Sequence, residues 1–504
     1  MINHLVIAPV LLPLLAGITL LLLRQTGLSV RRTLSVAAAV GQTGLAVALL
    51  GAVRGGDILV YALGNWPAPF GIVLVADRLA VWMLLVTALL ALFALLYALR
   101  GTDRGGRHFH VLFQLQLFGL NGAFLTGDLF NLFVFFEILL LASYALLLHG
   151  GGRLRTRAGL HFVVINLAGS TLFLFAVGTL YGVTGTLNMA DLAVKVAAAA
   201  PENIPLLRAA GLLLFGVFAL KAALLPLYLW LPAAYAHSSA PVAALFAIMT
   251  KVGAYSMLRV YTLIFGEQAG SAASLITPWL LPLALATLLL GMLGAVASTT
   301  LRQQVAYLVV ASVGSLLTAF GLNNSAGIGA GLYYLAHTTF AAAALFLLAD
   351  AIARRRGALD DRLDPGMVIA NPRVFGGLFF FSAVLMAGMP PLSGFLGKFL
   401  LLRAALPHAA LPWVMAVVLV GGLLGLIALA RSGSLLFYRA QPAQTPAGPP
   451  ASAFELLPIL GLLALCLALT IRAGAASDFT RATADQLLQP YHYVHAVLGT
   501  GGNR

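Results

Sequence analysis

The sequence predicts an all-α, polytopic membrane protein. Three observations carry that prediction. Of 504 residues, 61% are hydrophobic and only 9% are charged, against about 25% charged in a soluble chain. Apolar runs of about 20 residues recur from end to end, the length that crosses a bilayer core. The polar stretches between them are short and rich in arginine, as loops against an anionic leaflet are.

Fourteen spans follow from the hydropathy. The first six run near 4–23, 33–53, 72–99, 108–126, 129–148 and 158–181. Span seven begins near 206, breaks near Leu225-Pro226 and resumes to Tyr235, and span eight covers 241–262. Spans nine to eleven lie near 274–297, 301–321 and 327–349. Span twelve starts near Arg373, breaks at Met389-Pro390-Pro391-Leu392-Ser393-Gly394 and resumes to Ala404; spans thirteen and fourteen are near 411–436 and 453–472. The tail beyond Asp478, with Phe479, Leu487, Leu488, Tyr491 and Val494, reads as one short interfacial amphipathic helix. The apolar start lacks a basic n-region and an A-x-A-like site, so it reads as a retained first helix.

Charge orients the chain. With the N-terminus outside, the inner loops hold Arg24, Arg31, Arg32, Arg100, Arg104, Arg107, Arg153, Arg155, Arg157, Arg302, the Arg354–Arg356 run, Arg362, Arg373, Arg431 and Arg439. Fewer basic residues lie on or near the outer side: Arg54, Arg78, Lys195, Arg208, Arg259, Arg403, Arg472, Arg481 and Arg504. The positive-inside bias therefore puts both termini outside a bacterial inner membrane. The formal charge of +14 is met by this loop arginine, and no aromatic-and-basic stripe points to nucleic acid.

Spans seven and twelve are both broken and lie five apart, so they cross in opposite directions. Spans 4–8 and 9–13 then read as two inverted five-helix repeats. The expected segments are 1–107 (spans 1–3), 108–262 (first repeat), 263–440 (second repeat) and 441–504 (span 14 and the tail).

Only four residues are lysine, and Lys221, Lys251 and Lys398 fall in apolar spans. An ionisable group at the centre of a membrane helix costs roughly 2.5 kcal/mol or more and reads as functional by default. A buried lysine also shifts towards neutrality, which arginine does not. Glu137, in the middle of span five, lies at the depth of Lys221 and is its expected partner. Lys251 lies midway along span eight, where snorkelling to the interface fails. Lys398 follows the second break, and His337, midway along span eleven, would connect the lysines through its two ring nitrogens. His237 sits at the inner mouth of span eight as a candidate gate. Thr250, Tyr255 and Ser312 are candidates for holding water along the route.

Other chemistries are poorly served. One cysteine, Cys466, excludes disulfide frameworks, iron–sulfur clusters and Cys-type zinc sites within the chain. No HExxH and no phosphate-binding glycine motif occurs. No carboxylate cluster would hold a metal, and no cofactor is expected. Asp360, Asp361 and Asp364, interleaved with arginine, read as a solvated turn.

Three stretches carry a resemblance: Leu220 to Tyr255, the GDLFNLFVFFEILLLASYALL run from Gly127 to Leu147, and MPPLSGFLGK at 389–398. They resemble the proton-translocating antiporter-like subunits shared with respiratory complex I. Within that superfamily the chain looks most like the D-type subunits of the Mrp (Sha, Pha) multisubunit monovalent cation/proton antiporters, and the likeness covers nearly its whole length. The resemblance implies a coupling pair at Glu137 and Lys221, a central relay at Lys251 and His337, and a terminal group at Lys398. It implies other antiporter subunits and the lipid bilayer as partners, and protons with Na⁺ or K⁺ as cargo, serving pH and cation homeostasis. The chain would be a secondary transporter subunit rather than an enzyme. The alternative is a proton-pumping subunit of a complex I-like oxidoreductase or a membrane-bound hydrogenase. The second repeat lacks a counterpart to Glu137 in span ten and a lysine in span thirteen, so the repeats are unequal. No acidic cluster offers Na⁺ its oxygen ligands, so this chain is expected to carry the proton, and a partner the cation.

Overall fold

The computed structural model describes residues 2–441 and 448–499; Arg504, counted above on the outer side, lies outside them. The chain opens with α1 (Ile2–Leu22) and α2 (Leu28–Val53). An antiparallel hairpin follows, β1 (Leu59–Ala62) with β2 (Val73–Ala76), in the register Leu59 to Ala76 and Ala62 to Val73. The third span was expected from residue 72, but its first residues are this strand. The helix, α3 (Arg78–Ala98), starts where Asp77 caps it by accepting the Ala80 N–H at 2.9 Å.

Next come α4 (Phe109–Leu125), α5 (Leu129–Leu148) and α6 (Arg153–Thr184), then α7 (Met189–Ala197), a short surface helix not foreseen. α8 (Ile204–Ala222) and α9 (Trp230–His237) are the halves of the first broken span. The eighth span is itself interrupted, into α10 (Ala240–Phe246) and α11 (Met249–Leu263). α12 (Thr277–Ala297), α13 (Leu301–Gly321) and α14 (Ser325–Ala353) precede the second expected break, between α15 (Pro372–Ala387) and α16 (Ser393–Ala405). α17 (Leu411–Gly433), α18 (Ala453–Ile471), α19 (Ala473–Leu487) and α20 (Pro490–Leu498) complete the fold.

Among the described residues, twelve helical segments are long and apolar enough to cross a membrane. The shorter apolar helices α4 and α15 stand where the remaining two of the expected spans were placed. α10–α11, α13 and α14 are almost wholly enclosed by protein, whereas most of α2, α17 and α18 faces outward. The costly lysines of α8 and α11 thus sit in or beside the best-shielded part of the bundle.

The two expected breaks share one construction. α8 ends with Ala223 in the left-handed region (φ 59), and Leu224 N–H reaches back to Ala219 C=O at 2.9 Å. α15 ends with Gly388 in the same region (φ 76), and Met389 N–H reaches Val384 C=O at 3.1 Å. Both are Schellman caps, which close a helix by reclaiming its last carbonyls. In each, a proline, Pro226 or Pro391, follows three residues after the left-handed position and prevents the helix from continuing.

Two expectations need correction here. The tail is two helices docked on the bundle rather than one lying at the interface. α19 buries Thr480, Thr483, Ala484 and Leu487, and its Arg481 backbone lies 3.0 Å from where a side chain on Gly329 of α14 would begin. Asp361 is buried, not solvated: its carboxylate accepts the Arg302 N–H at 2.8 Å at the start of α13, while Asp360 stays exposed. Arg259 lies within α11 and is buried, in a bidentate pair with Asp77 at 2.6 and 2.7 Å.

The arginine-rich loops clamp one another. Arg32 holds Asp103 at 2.6 Å, Arg100 holds Glu455 at 2.6 Å, and Arg355, over the Phe375 ring at 4.1 Å, holds the same Glu455 at 2.7 Å. Burial alone would raise the Asp103 carboxyl, but hydrogen bonds from His110 and Arg32 more than offset it and hold it at about 2.

Candidate functional site

Lys221 lies in the last turn of α8 and is buried. Its ammonium donates to Asn166 Oδ1 at 3.3 Å, to the Asn166 carbonyl at 3.4 Å and to Ser170 Oγ at 3.5 Å, all on α6. It also stands 5.9 Å from the Phe136 ring centre. Glu137, one residue on, is half-buried, and its Oε1 is enclosed without a hydrogen-bond partner. No ion pair within 4.0 Å joins it to Lys221. The expected direct pair is therefore replaced by Asn166, Ser170 and the Phe136 face. Asn166 and Ser170 were missed from sequence. Their i,i+4 spacing, which places both on one face of α6, was the available signal.

Lys251 is the third residue of α11, fully buried, and its Nζ has no partner among the described residues; the same holds for the hydroxyl of the adjacent Thr250. Just before them the helix is interrupted without proline or glycine. The N–H groups of Ala247 and Ile248 take carbonyls three residues back, at 3.1 and 3.3 Å. The Phe246 carbonyl accepts the Tyr235 hydroxyl at 2.7 Å. Two residues past Lys251, a Cβ on Gly253 would stand 2.5 Å from Ala222 N and 2.8 Å from Lys221 C. Only glycine admits that approach, so the end of α8 carrying Lys221 presses backbone to backbone on the start of α11 carrying Lys251.

The breaks are satisfied from neighbouring elements. Leu225 N–H donates to Thr287 Oγ1 of α12 at 2.9 Å, and Trp230 Nε1 donates to the Leu220 carbonyl at 3.1 Å. At the second break, Lys398 Nζ donates to the Ala387 carbonyl at 2.8 Å, capping the end of α15. Its stem lies along Gly388, where a Cβ would fall 2.8 Å from Lys398 Cδ. His337, buried in α14, meets the same break: its Nδ1 is 2.9 Å from Ser393 Oγ, the first residue of α16, and its ring contacts the Leu385 backbone. His337 and Lys398 thus converge on one helix interruption.

The remaining candidates divide. Thr250 keeps a free hydroxyl. Tyr255 and Ser312 do not: Tyr255 donates to the Phe124 carbonyl at 2.7 Å and Ser312 to Val309 of its own helix at 2.7 Å. His237 ends α9 half-buried, its carbonyl held by Arg155 Nε at 2.9 Å.

The geometry is thus a series of buried or half-buried basic groups placed at or beside three helix interruptions. Residues 126–425 match the family described as NADH:quinone oxidoreductase/Mrp antiporter, transmembrane, and the chain belongs to it. Its likeness over the full length is to the D subunits of cation/proton antiporters. It is 40% identical to the D subunit of a probable K⁺/H⁺ antiporter of Rhizobium meliloti (strain 1021), covering 98% of each chain. It is 39% identical to the D subunit of the Na⁺/H⁺ antiporter of Alkalihalophilus pseudofirmus (strain ATCC BAA-2126 / JCM 17055 / OF4), covering 98% of this chain and 99% of that one. Among solved structures, a chain of the Mrp complex from Dietzia sp. DQ12-45-1b superposes with a TM-score of 0.88, at 29% identity and 99% coverage of both.

Proposed function

We propose that this chain is the proton-carrying D-type subunit of a multisubunit Na⁺/H⁺ or K⁺/H⁺ antiporter of the bacterial cell membrane, with both termini on the outer side. Protons pass along Glu137, Lys221, Lys251, His337 and Lys398, coupled to monovalent cation efflux for pH and cation homeostasis, and the neighbouring subunits supply the cation path. Spans 4–8 and 9–13 form two inverted units, each centred on one of the Schellman-capped breaks.

Lys251 carries the reading. A lysine enclosed within a membrane span, with no partner for its ammonium, is sustained only where proton exchange or an adjacent water repays its desolvation. Glu137 then tunes Lys221 through space rather than by contact. Lys221 holds its proton against Asn166 and Ser170 until the α8 end shifts against Gly253. His337 and Lys398 share the second break, so a movement there reaches both. His237, held by Arg155, marks the inner entrance.

The test is exchange by the complete complex in vesicles. Lys251→Ala is expected to abolish cation/proton exchange while leaving assembly intact, and normal exchange by that variant overturns the relay. A second reading, a redox-driven pump module, is favoured by the breadth of the family, which includes quinone oxidoreductases. It predicts pumping driven by NADH or hydrogen oxidation, with no exchange in response to an imposed Na⁺ or K⁺ gradient.

A further inference from the structure

We propose that the buried Asp77–Arg259 pair, covered by Tyr493, is the gate of a second proton route that joins Lys251 to the membrane surface along one face of α11. Lys251, Tyr255 and Arg259 recur at i, i+4 and i+8 and so share that face, over about 12 Å of helix. From Tyr255 outward the contacts are continuous, while the Lys251 ammonium stands free one turn before. Arg259 Nε donates to Tyr255 Oη at 3.4 Å, and its two terminal nitrogens donate to both Asp77 oxygens at 2.6 and 2.7 Å. The guanidinium is sandwiched between the Tyr255 ring at 5.6 Å and the Tyr493 ring of α20 at 5.2 Å. The Tyr493 hydroxyl is enclosed and unpartnered.

Two cavities approach this pair from the surface. The larger one, of about 90 Å³, opens beside the exposed Glu267 and Gln268. The smaller one, of about 10 Å³ and lined by Asp77, Arg259 and Tyr493, is about the size of one water. Thr262 and Pro490 line both, so the two cavities adjoin. Space for water therefore lies against the pair on this side and ends there. Fixed to Asp77 by two hydrogen bonds and packed against the Tyr255 and Tyr493 rings, the guanidinium plugs the passage, so the route is shut while Arg259 is held. It opens when the two N–H···O bonds to Asp77 break and the α20 cover moves, and protons then travel through water without covalent change in either residue.

This gate rests on the relay reading of Lys251, and the test separates the two. The complete complex in proteoliposomes is loaded with a pH-sensitive dye, and passive proton leak is measured without cation gradients. Asp77→Asn is expected to raise the leak several-fold, and adding Lys251→Ala is expected to return it to the parent rate. Where Asp77→Asn prevents assembly, Tyr493→Ala, which uncovers the guanidinium without removing a charge, is measured in its place with the same expectation. A leak at the parent rate, or one that survives Lys251→Ala, overturns the gate and leaves a structural ion pair. If the single Lys251→Ala variant loses exchange while Asp77→Asn stays tight, only the gate fails. If Lys251→Ala exchanges normally, the relay fails.

Discussion

Gly253 shows how much of the site rests on residues with no chemistry of their own. A methyl group there would meet the backbone of Ala222 at 2.5 Å, and a peptide backbone yields far less than a side chain. Overpacking of this kind typically costs about 1–3 kcal/mol, and here it would also push Lys221 away from Lys251. Gly253→Ala is expected to lower the melting temperature of the purified complex and to cut exchange several-fold. Asn166→Leu is expected to leave assembly unchanged while depressing exchange, because Lys221 keeps only Ser170 as a hydrogen-bonding side chain. The lysines were legible in sequence because they are few and costly where they stand. Their surroundings were not. Asn and Ser are ordinary in membrane helices, and a glycine in an apolar run carries no mark of what presses on it. Glu137 and Lys221 were matched by depth and by family resemblance, neither of which tells that the Phe136 ring would take the position facing the ammonium.

The helix interruptions behave differently from one another. Two were legible because proline forbids the i→i−4 bond, and both prove to be closed by the same cap. The third, at Ala247–Ile248, has neither proline nor glycine. It depends on the Tyr235 hydroxyl, which takes the Phe246 carbonyl, and no local pattern announces a contact of that kind. Tyr235→Phe is expected to destabilise the complex by about 0.6–2 kcal/mol, the range for hydrogen bonds between membrane helices, and to reduce exchange because Lys251 follows directly. Thr287→Val, which strips the partner from the Leu225 N–H, belongs to the same range. Thermal melting of the two variants side by side checks both values. The hairpin was lost from the sequence reading because only Asp77 and Arg78 separate Val73 to Ala76 from the apolar run of α3, and a strand of four residues gives too few alternations to stand out.

Across the whole molecule, arginine holds the loops and lysine occupies the interior. The loop arginines close onto Asp103, Glu455 and Asp361 and so bind segments far apart in sequence. Glu455→Gln would strand Arg100 and the buried Arg355, and removing one partner of a buried pair costs about 3–5 kcal/mol. Its expected outcome is loss of α18 docking, read as protease cleavage near residue 450. Asp103 supplies a pH signature. Its carboxyl is held at about 2 against an ordinary 3.8, so the clamp is fully present above about pH 4 and is lost as pH falls towards 2. Asp103→Asn is expected to flatten the stability of the complex over that window. The membrane class, the spans and the two proline breaks were legible because they follow from hydropathy and backbone sterics. The clamps and the Asp77–Arg259 pair were not, since their partners are brought together only by the finished bundle.

That pair also bears on how the protein is made. Asp77 leaves the ribosome well before Arg259, and Arg259 well before Tyr493. Until α20 has been translated and has swung back to the hairpin side, the guanidinium lacks its cover and the partly built bundle keeps an opening on that face. Nascent chains halted before residue 490 should therefore remain bound to the insertion machinery, and release from it should coincide with arrival of α20.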